Sequence, residues 1–336
     1  MKEKSWTPAE LLQHSGGYWS ACALHAAVSL DLVTPLAGTA LTAAEVASRR
    51  GLDARGTTML LDALAAMALV RKGDERYEAT PFAARYLAQD SPDYLGHIIM
   101  HHHHLMAGWY RLSEAVRSGA PVKESASHGN DEGARESFLM GMFNLAMQFA
   151  PTVVPLVDLS GRRRLLDLGG GPGTWAIHFC RHNPDMEAVV YDLPTSRRVA
   201  EETIARFGLG ERIGFVAGDF LENDLPGGFD VVWLSHILHA YGPGHCAAIL
   251  AKAVAALEPG GLLLVQEFVL DDTRTSPLFP ALFSLNMLVG TESGQSYAEG
   301  ELRAMMTVAG LRDVRRLPVE LPNGAAIIAG TVQGQR

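Results

Sequence analysis

Residues 165–173 read LLDLGGGPG: an apolar run that ends in Asp167, followed by glycine at Gly169, Gly170, Gly171 and Gly173. A buried strand must leave its sheet here through a turn that only glycine-rich backbone makes, and a helix opens near Thr174. Four further apolar segments follow: EAVVYDLP, IGFVAGDF, FDVVWLSHILHAY and GGLLLVQEFV. Helical patterns separate them at 173–183, 195–208 and 244–257, and the fourth strand runs directly into a helix. Alternating strand and helix give a parallel sheet wound on both faces. The last two extended pieces, LRDVRRLPVE and AAIIAGTV, flank Pro322-Asn323-Gly324 and read as an antiparallel hairpin. The expected fold is α/β: a Rossmann-like, doubly wound, mostly parallel sheet with a C-terminal antiparallel hairpin.

The first hundred residues follow a different grammar. SACALHAAVSLDLV (20–33) is apolar on all sides and reads as a buried helix. Thr42 and Glu45 form a capping box, and Gly51 stops the helix they open. A further helix covers 54–68. LVRKG and RYEAT pair around Gly73-Asp74, and Thr80-Pro81 restarts a helix. Helices with a small hairpin make a winged-helix arrangement, which invites a DNA-binding reading. Two features oppose it. The net charge is −9 with a pI near 5.8, where phosphate binding needs a basic surface. The would-be recognition helix, ARGTTMLLDALAAMAL, has Arg55 as its one cation and is otherwise suited to burial against another subunit. The chain has 336 residues, 48% hydrophobic and 19% charged, enough for two globular domains. No apolar run approaches the roughly 18 residues of a membrane span. MKEKSWTPAE has no signal core, and three scattered cysteines give no disulfide framework. The expected setting is the cytoplasm, without nucleic-acid or membrane partners.

Two ligand classes use a glycine turn of this kind. Dinucleotides want G-x-G-x-x-G, and the third position here is Thr174, so that fingerprint fails. S-adenosylmethionine (SAM) has no phosphate but offers an amino-acid end, a ribose and an adenine. Asp192, followed by Leu193, ends the next strand 19 residues after Gly173 and supplies an acceptor for ribose hydroxyls. Asp219 and Phe220, at the third strand end, supply an acceptor for the adenine amino group and a ring to lie on the base.

DLGGGPG, YDLP, GDF, LSHILHAYG and PGG together resemble the dimeric class I O-methyltransferases typified by plant caffeic acid O-methyltransferase. Their bacterial branch includes hydroxyneurosporene and antibiotic-tailoring methyltransferases. The resemblance extends to the N-terminal AAVSLDLVTPL, TAAEVASRRG, LLDALAAMALV and YEATPFAARYL. It implies a homodimer joined through a winged-helix dimerisation domain (1–92), a helical connector roofing the acceptor pocket (93–158) and a SAM-binding domain (159–336). It implies that Asp167, Gly169, Gly171, Gly173, Asp192, Leu193, Asp219, Phe220 and Ser235 surround SAM, with S-adenosylhomocysteine (SAH) as product. His239 matches the catalytic base, Glu267 the carboxylate that orients it, and Glu292 is the candidate for a second carboxylate. Methyl transfer would be in-line displacement at the sulfonium. Ala240, Tyr241 and Ser235 stand where the family has Asp, Trp and Lys. His236, three residues before His239, is expected on the same helix face, sharing the acid–base role or lining the pocket.

IIMHHHHLMAGWYRL (98–112) places four histidines inside the fold. His97, His101 and His104 share a helix face, yet neither a HExxH pattern nor a cysteine pair completes a zinc site, so no metal is expected. By resemblance this helix roofs the acceptor pocket, making His101, His102 and Trp109 lining candidates. Met140, Phe143, Asn144 and Met147 before the first strand, and Phe283, Asn286 and Met287 after the fifth, are the others. A wall of this composition suits a small, flat, largely apolar acceptor. The reading is a SAM-dependent O-methyltransferase. Carbon or sulfur methylation, or SAM-assisted tailoring on the same scaffold, stands as an alternative, as does a ligand-responsive winged-helix regulator.

Overall fold

Thr42 starts a helix by accepting the Glu45 N–H on Oγ1 at 3.2 Å, while Glu45 Oε2 accepts the Thr42 N–H at 2.7 Å. Gly51, at φ +67°, ends that helix in the left-handed conformation. Local signals of this kind lay out the N-terminal part of the computed structural model, which describes residues 5–123 and 132–334. The middle of the loop SGAPVKESASHGNDEG lies outside the described residues. The chain separates into two compact units, Met1–Leu105 and Met106–Arg336.

The first unit contains α1 (Pro8–Ser15), α2 (Tyr18–Ser29), β1 (Leu41–Thr42), α3 (Ala43–Arg50), α4 (Ala54–Ala66), β2 (Val70–Gly73), β3 (Arg76–Ala79) and α5 (Pro81–Leu87). The division falls within α6 (Gly96–Tyr110), whereas the sequence reading has a connector starting at 93. β2 and β3 form the expected hairpin. β1 adds a third antiparallel strand on the free side of β3. Two residues are too few for alternation to register as a strand. α2 stops at Ser29, short of 33, where Asp31 takes φ +47°. Leu32, Leu36, Val46, Leu61, Leu64 and Tyr77 form the core. The histidine run lies on α6, with His103 edge-to-face on His25 of α2 at 5.7 Å.

The second unit continues with α7 (Leu112–Ser118), α8 (Glu132–Val153), β4 (Arg164–Leu168), α9 (Thr174–His182), β5 (Glu187–Asp192), α10 (Arg197–Arg206), β6 (Ile213–Ala217), β7 (Phe229–Ser235), α11 (Pro243–Ala255), β8 (Leu257–Leu270), α12 (Leu278–Gly290), β9 (Tyr297–Ala298), α13 (Glu299–Val308), β10 (Arg312–Arg316) and β11 (Ala325–Thr331). The strand order is β10-β11-β8-β7-β4-β5-β6, with β9 paired to the end of β8. β6, β5, β4, β7 and β8 are mutually parallel, and β11 lies antiparallel between β8 and β10. β7 shows how the sequence serves two faces: Val231 and Trp233 pack into one core layer, Val232 and Leu234 into the other. The strand order reverses at β4, and this is where open α/β sheets bind ligands beyond their carboxyl ends. The glycine turn sits there.

Two expectations are corrected here. Residues 132–156, α8 and its continuation, are long and apolar enough to cross a membrane by length and composition, with mean hydropathy 1.3. Their inward stripe, including Phe143, Ala150 and Val153, is buried in the unit, as in a core helix. Secondly, β7 does not run into a helix. It ends at Ser235, His236 adopts φ +57°, and only a short 3-10 turn, Leu238–Ala240, precedes α11. His236 and His239 therefore do not share a helix face.

Candidate active site

The turn after β4 is made by Gly169, Gly171 and Gly173 at φ +71°, +51° and +74°. Each reason for glycine is different. A Cβ at Gly169 would lie 2.4 Å from Ile237 Cδ1, so the strand ends of β4 and β7 close on bare backbone. A Cβ at Gly170 would strike the Asp167 carboxyl carbon at 2.6 Å. Gly171 is open, with nothing nearer to its Cβ position than Leu139 Cδ2 at 3.8 Å. Asp167 is fully buried and accepts the Ala176 N–H at 3.1 Å, tying the strand to the first turn of α9. Burial, with the charge of Asp192 adding to it, pushes its carboxyl up to about 7 against the pull of that N–H.

Asp192 at the tip of β5 is almost entirely committed to the turn. Its Oδ2 accepts the Gly171 N–H at 2.7 Å, and Oδ1 accepts the Leu193 N–H at 2.7 Å and the Ser196 hydroxyl at 2.8 Å. Asp219 accepts the Leu221 N–H at 2.8 Å, and Phe220 meets Tyr241 edge-on at 5.8 Å. Tyr241 is pushed up to about 12 by burial, with the charges of Asp219 and Asp192 adding to it. Lys252 fixes this corner by donating to the carbonyls of Phe220, Leu221 and Asn223 at 2.9, 3.1 and 2.8 Å. The sequence reading passed over it; a lone lysine in an otherwise apolar α11 is the signal that could have found it. Ser235 closes β7 opposite Gln266.

A histidine–carboxylate pair stands one strand further along. His239 Nδ1 lies 2.7 Å from Glu267 Oε2, and the His239 backbone N–H donates to Oε1 at 3.3 Å. Burial alone would raise the Glu267 carboxyl. The imidazoles of His239 and His236 outweigh it and hold the group below the usual carboxylate range. An ionised Glu267 is acceptor-only, so His239 carries its hydrogen on Nδ1 and keeps the Nε2 lone pair. Phe283 of α12 packs edge-on to the His239 ring at 4.8 Å and continues into Phe268 and Phe279.

The other expected residues have surroundings of their own. Glu292 is exposed, and among the described residues no hydrogen bond or ion pair joins it to His239. Its neighbours serve the site instead: Gln295 N–H donates to the His239 carbonyl at 2.8 Å, and Gly294 is pressed against that same carbonyl. Phe143 meets Phe207 at 6.4 Å and Met147 Sδ lies 3.2 Å from His178 Nε2, contacts within the layer between α8 and its neighbours α9 and α10. Asn144 is buried and Met140 half-buried on the same helix. Trp109 Nε1–H donates to Asn286 Oδ1 at 2.9 Å, and Met287 is buried behind them. His101 and His102 belong to the first unit. From the sequence, no metal is expected on α6; elsewhere, ligand atoms of His236, His239 and Glu267 lie within 4.8 Å of one another.

A cradle of bare backbone open at Gly171, with carboxylates at the next two strand ends, fits SAM by shape and by donor–acceptor chemistry. This turn at the switch point of a doubly wound sheet is the construction of a SAM-dependent methyltransferase. The chain belongs to the O-methyltransferase family: that domain matches residues 109–312, and the family's dimerisation domain matches residues 12–89. It is 38% identical over 328 residues to the 3-hydroxy-5-methyl-1-naphthoate 3-O-methyltransferase of Streptomyces sahachiroi, covering 96% of this chain and 95% of that one. It is 34% identical over 328 residues to the tetracenomycin polyketide synthesis 8-O-methyl transferase TcmO of Streptomyces glaucescens, covering 95% and 96%. The crystal structure of human N-acetylserotonin methyltransferase in complex with SAM superposes with a TM-score of 0.86 at 28% identity, covering all of both chains.

Proposed function

We propose that this enzyme methylates a phenolic hydroxyl on a fused aromatic acid or polyketide, with His239 as the base. The observation that carries the reading is the His239–Glu267 pair beside Phe283. SAM, when bound, supplies an electrophilic methyl group on a sulfonium. Gly169, Gly171, Asp192 and Asp219 would hold it, Asp192 suiting its ribose hydroxyls and Asp219 with Phe220 its base. His239 Nε2 takes the phenol proton as the oxygen attacks. Glu267 keeps the ring in the tautomer that makes this possible and stabilises the imidazolium that forms. Phe279, Phe283 and Phe268 offer planar faces and edges to an aromatic acceptor. Both bacterial relatives are O-methyltransferases whose names specify a hydroxynaphthoate or a polyketide, which supports this acceptor class.

We also read the protein as a homodimer. Leu12 and Trp19 on α1 and α2 are 73% and 70% exposed beside Leu11 and Tyr18, an apolar face within or next to the matched dimerisation domain. The same reading keeps the enzyme in the cytoplasm. The direct test is incubation with SAM and 3-hydroxy-1-naphthoate, followed by mass and NMR analysis. A methyl ether supports the reading. A methyl on carbon, or none across a panel of hydroxynaphthoates and anthraquinone phenols, would sink it.

A further inference from the structure

Glu267 faces two imidazoles, and only one of them is hydrogen-bonded to it. His236 Nδ1 lies 3.7 Å from the same Oε2 that His239 approaches at 2.7 Å. That is too long for a hydrogen bond. His236 Nδ1 is buried without a hydrogen-bond partner among the described residues, and so is Gln266 Oε1. The Gln266 amide stands 3.2 Å from His236 Nε2. With the amide turned so that Oε1 faces the ring, His236 donates from Nε2 and the orphaned oxygen is satisfied. Nδ1 then faces the carboxylate oxygen without closing a hydrogen bond to it.

The backbone enforces this arrangement. His236 takes the left-handed φ of +57° that non-glycine residues rarely adopt. Its N–H is held by the Gln266 carbonyl at 2.8 Å, and its ring lies on Phe268 at 4.3 Å. What faces inward is therefore an unbonded imidazole Nδ1, a carboxylate and a second imidazole Nδ1, all within 4.8 Å of one another. In a tetrahedral zinc site, ligand atoms are about 3.4 Å apart, given metal–ligand bonds of about 2.0–2.2 Å. The two measured separations to Oε2 bracket that value.

We propose that His236, His239 and Glu267 form a transition-metal site that takes Zn²⁺ and switches the base off. Nitrogen and carboxylate donors select a borderline cation of this kind over Mg²⁺ or Ca²⁺. The ion binds His236 Nδ1, His239 Nδ1 and Glu267 Oε2, with a fourth position for water. It displaces the proton of His239 Nδ1, which moves to Nε2 of the same ring, so the lone pair that would accept the phenol proton is consumed. Metal binding needs no acceptor and no SAM; only the loss of turnover rests on His239 being the base.

The test is calorimetric titration of Zn²⁺ into the full chain on a His101→Asn, His104→Asn background, which removes competing ligands of the histidine run. Co²⁺ absorption reports coordination, and zinc-edge anomalous scattering from crystals locates the ion. One Zn²⁺ per chain, tetrahedral Co²⁺ bands and at least tenfold weaker binding in His236→Gln are expected. Melting temperature and SAH binding establish that this variant is folded. Binding unchanged by His236→Gln, an anomalous peak elsewhere, or no binding up to millimolar Zn²⁺ overturns the site. Zinc bound at the site with turnover unimpaired overturns the switch and, with it, the assignment of His239 as base.

Discussion

Asp192 Oδ2 accepts the Gly171 N–H at 2.7 Å, so the carboxylate proposed to face the ribose and the glycine turn are one structural unit. Removing the carboxylate removes a ligand and loosens the cradle together. Asp192→Ala should weaken SAH binding at least tenfold and raise the KM for SAM with a smaller effect on kcat. Asp192→Asn, which keeps one acceptor oxygen, should fall between. Calorimetry with SAH settles it; an unchanged Kd would remove Asp192 from the cofactor site.

Gly169 and Gly208 have nearly the same φ, +71° and +69°, in different surroundings. A Cβ at Gly208 meets nothing within 4 Å, while one at Gly169 meets Ile237. Gly208→Ala should cost about 1–2 kcal/mol, the left-handed backbone penalty alone. Gly169→Ala should cost clearly more and also impair SAH binding, read from urea midpoints and calorimetry on the same samples. Equal costs would mean that the β4–β7 approach is unimportant.

His239→Asn should lower kcat by about 10²–10⁴, the usual contribution of a positioned base, while SAH still binds. Glu267→Gln should act in the same direction, because the amide no longer enforces the Nδ1–H tautomer. Glu267→Ala should in addition destabilise the fold by about 1–3 kcal/mol, through the polar partners it leaves unpaired. Single-turnover kinetics with saturating SAM distinguishes these effects from binding. Full activity in His239→Asn would refute the base.

Asp167 gives a pH signature. Its folded pKa of about 7 is above the unfolded value of about 3.9, so the native state retains a proton that the unfolded chain releases. Stability should therefore fall as pH rises from about 4 to about 7, where this contribution is lost. Asp167→Asn should flatten that decline and be the more stable form at pH 8. Denaturation midpoints at several pH values decide it; parallel curves for the two proteins would show that Asp167 is not the source.

The parallel sheet, the glycine turn and the carboxylates at three strand ends were legible because each rests on local chemistry: a period-two pattern, a backbone only glycine adopts, an acid closing an apolar run. β1 and the role of Lys252 were not, being visible only through partners distant in sequence. The turn after β7 misled for a related reason. LSHILHAY has helical composition, but β8 dictates its path, drawing the His236 N–H to the Gln266 carbonyl. The loop at 292–295 reaches His239 through the Gln295 backbone, and periodicity carries no information about that. The metal-ligand cluster was invisible while His236 was placed on a helix.

Glu267 sits on β8, hydrogen-bonded along β7 on one side and β11 on the other, whereas Phe279 and Phe283 project from α12. On the proposed reading, proton handling and acceptor contact therefore belong to separate pieces of the chain. Exchanging residues 278–290 for those of a relative would then alter the acceptor wall and leave the strand that carries Glu267 as it is.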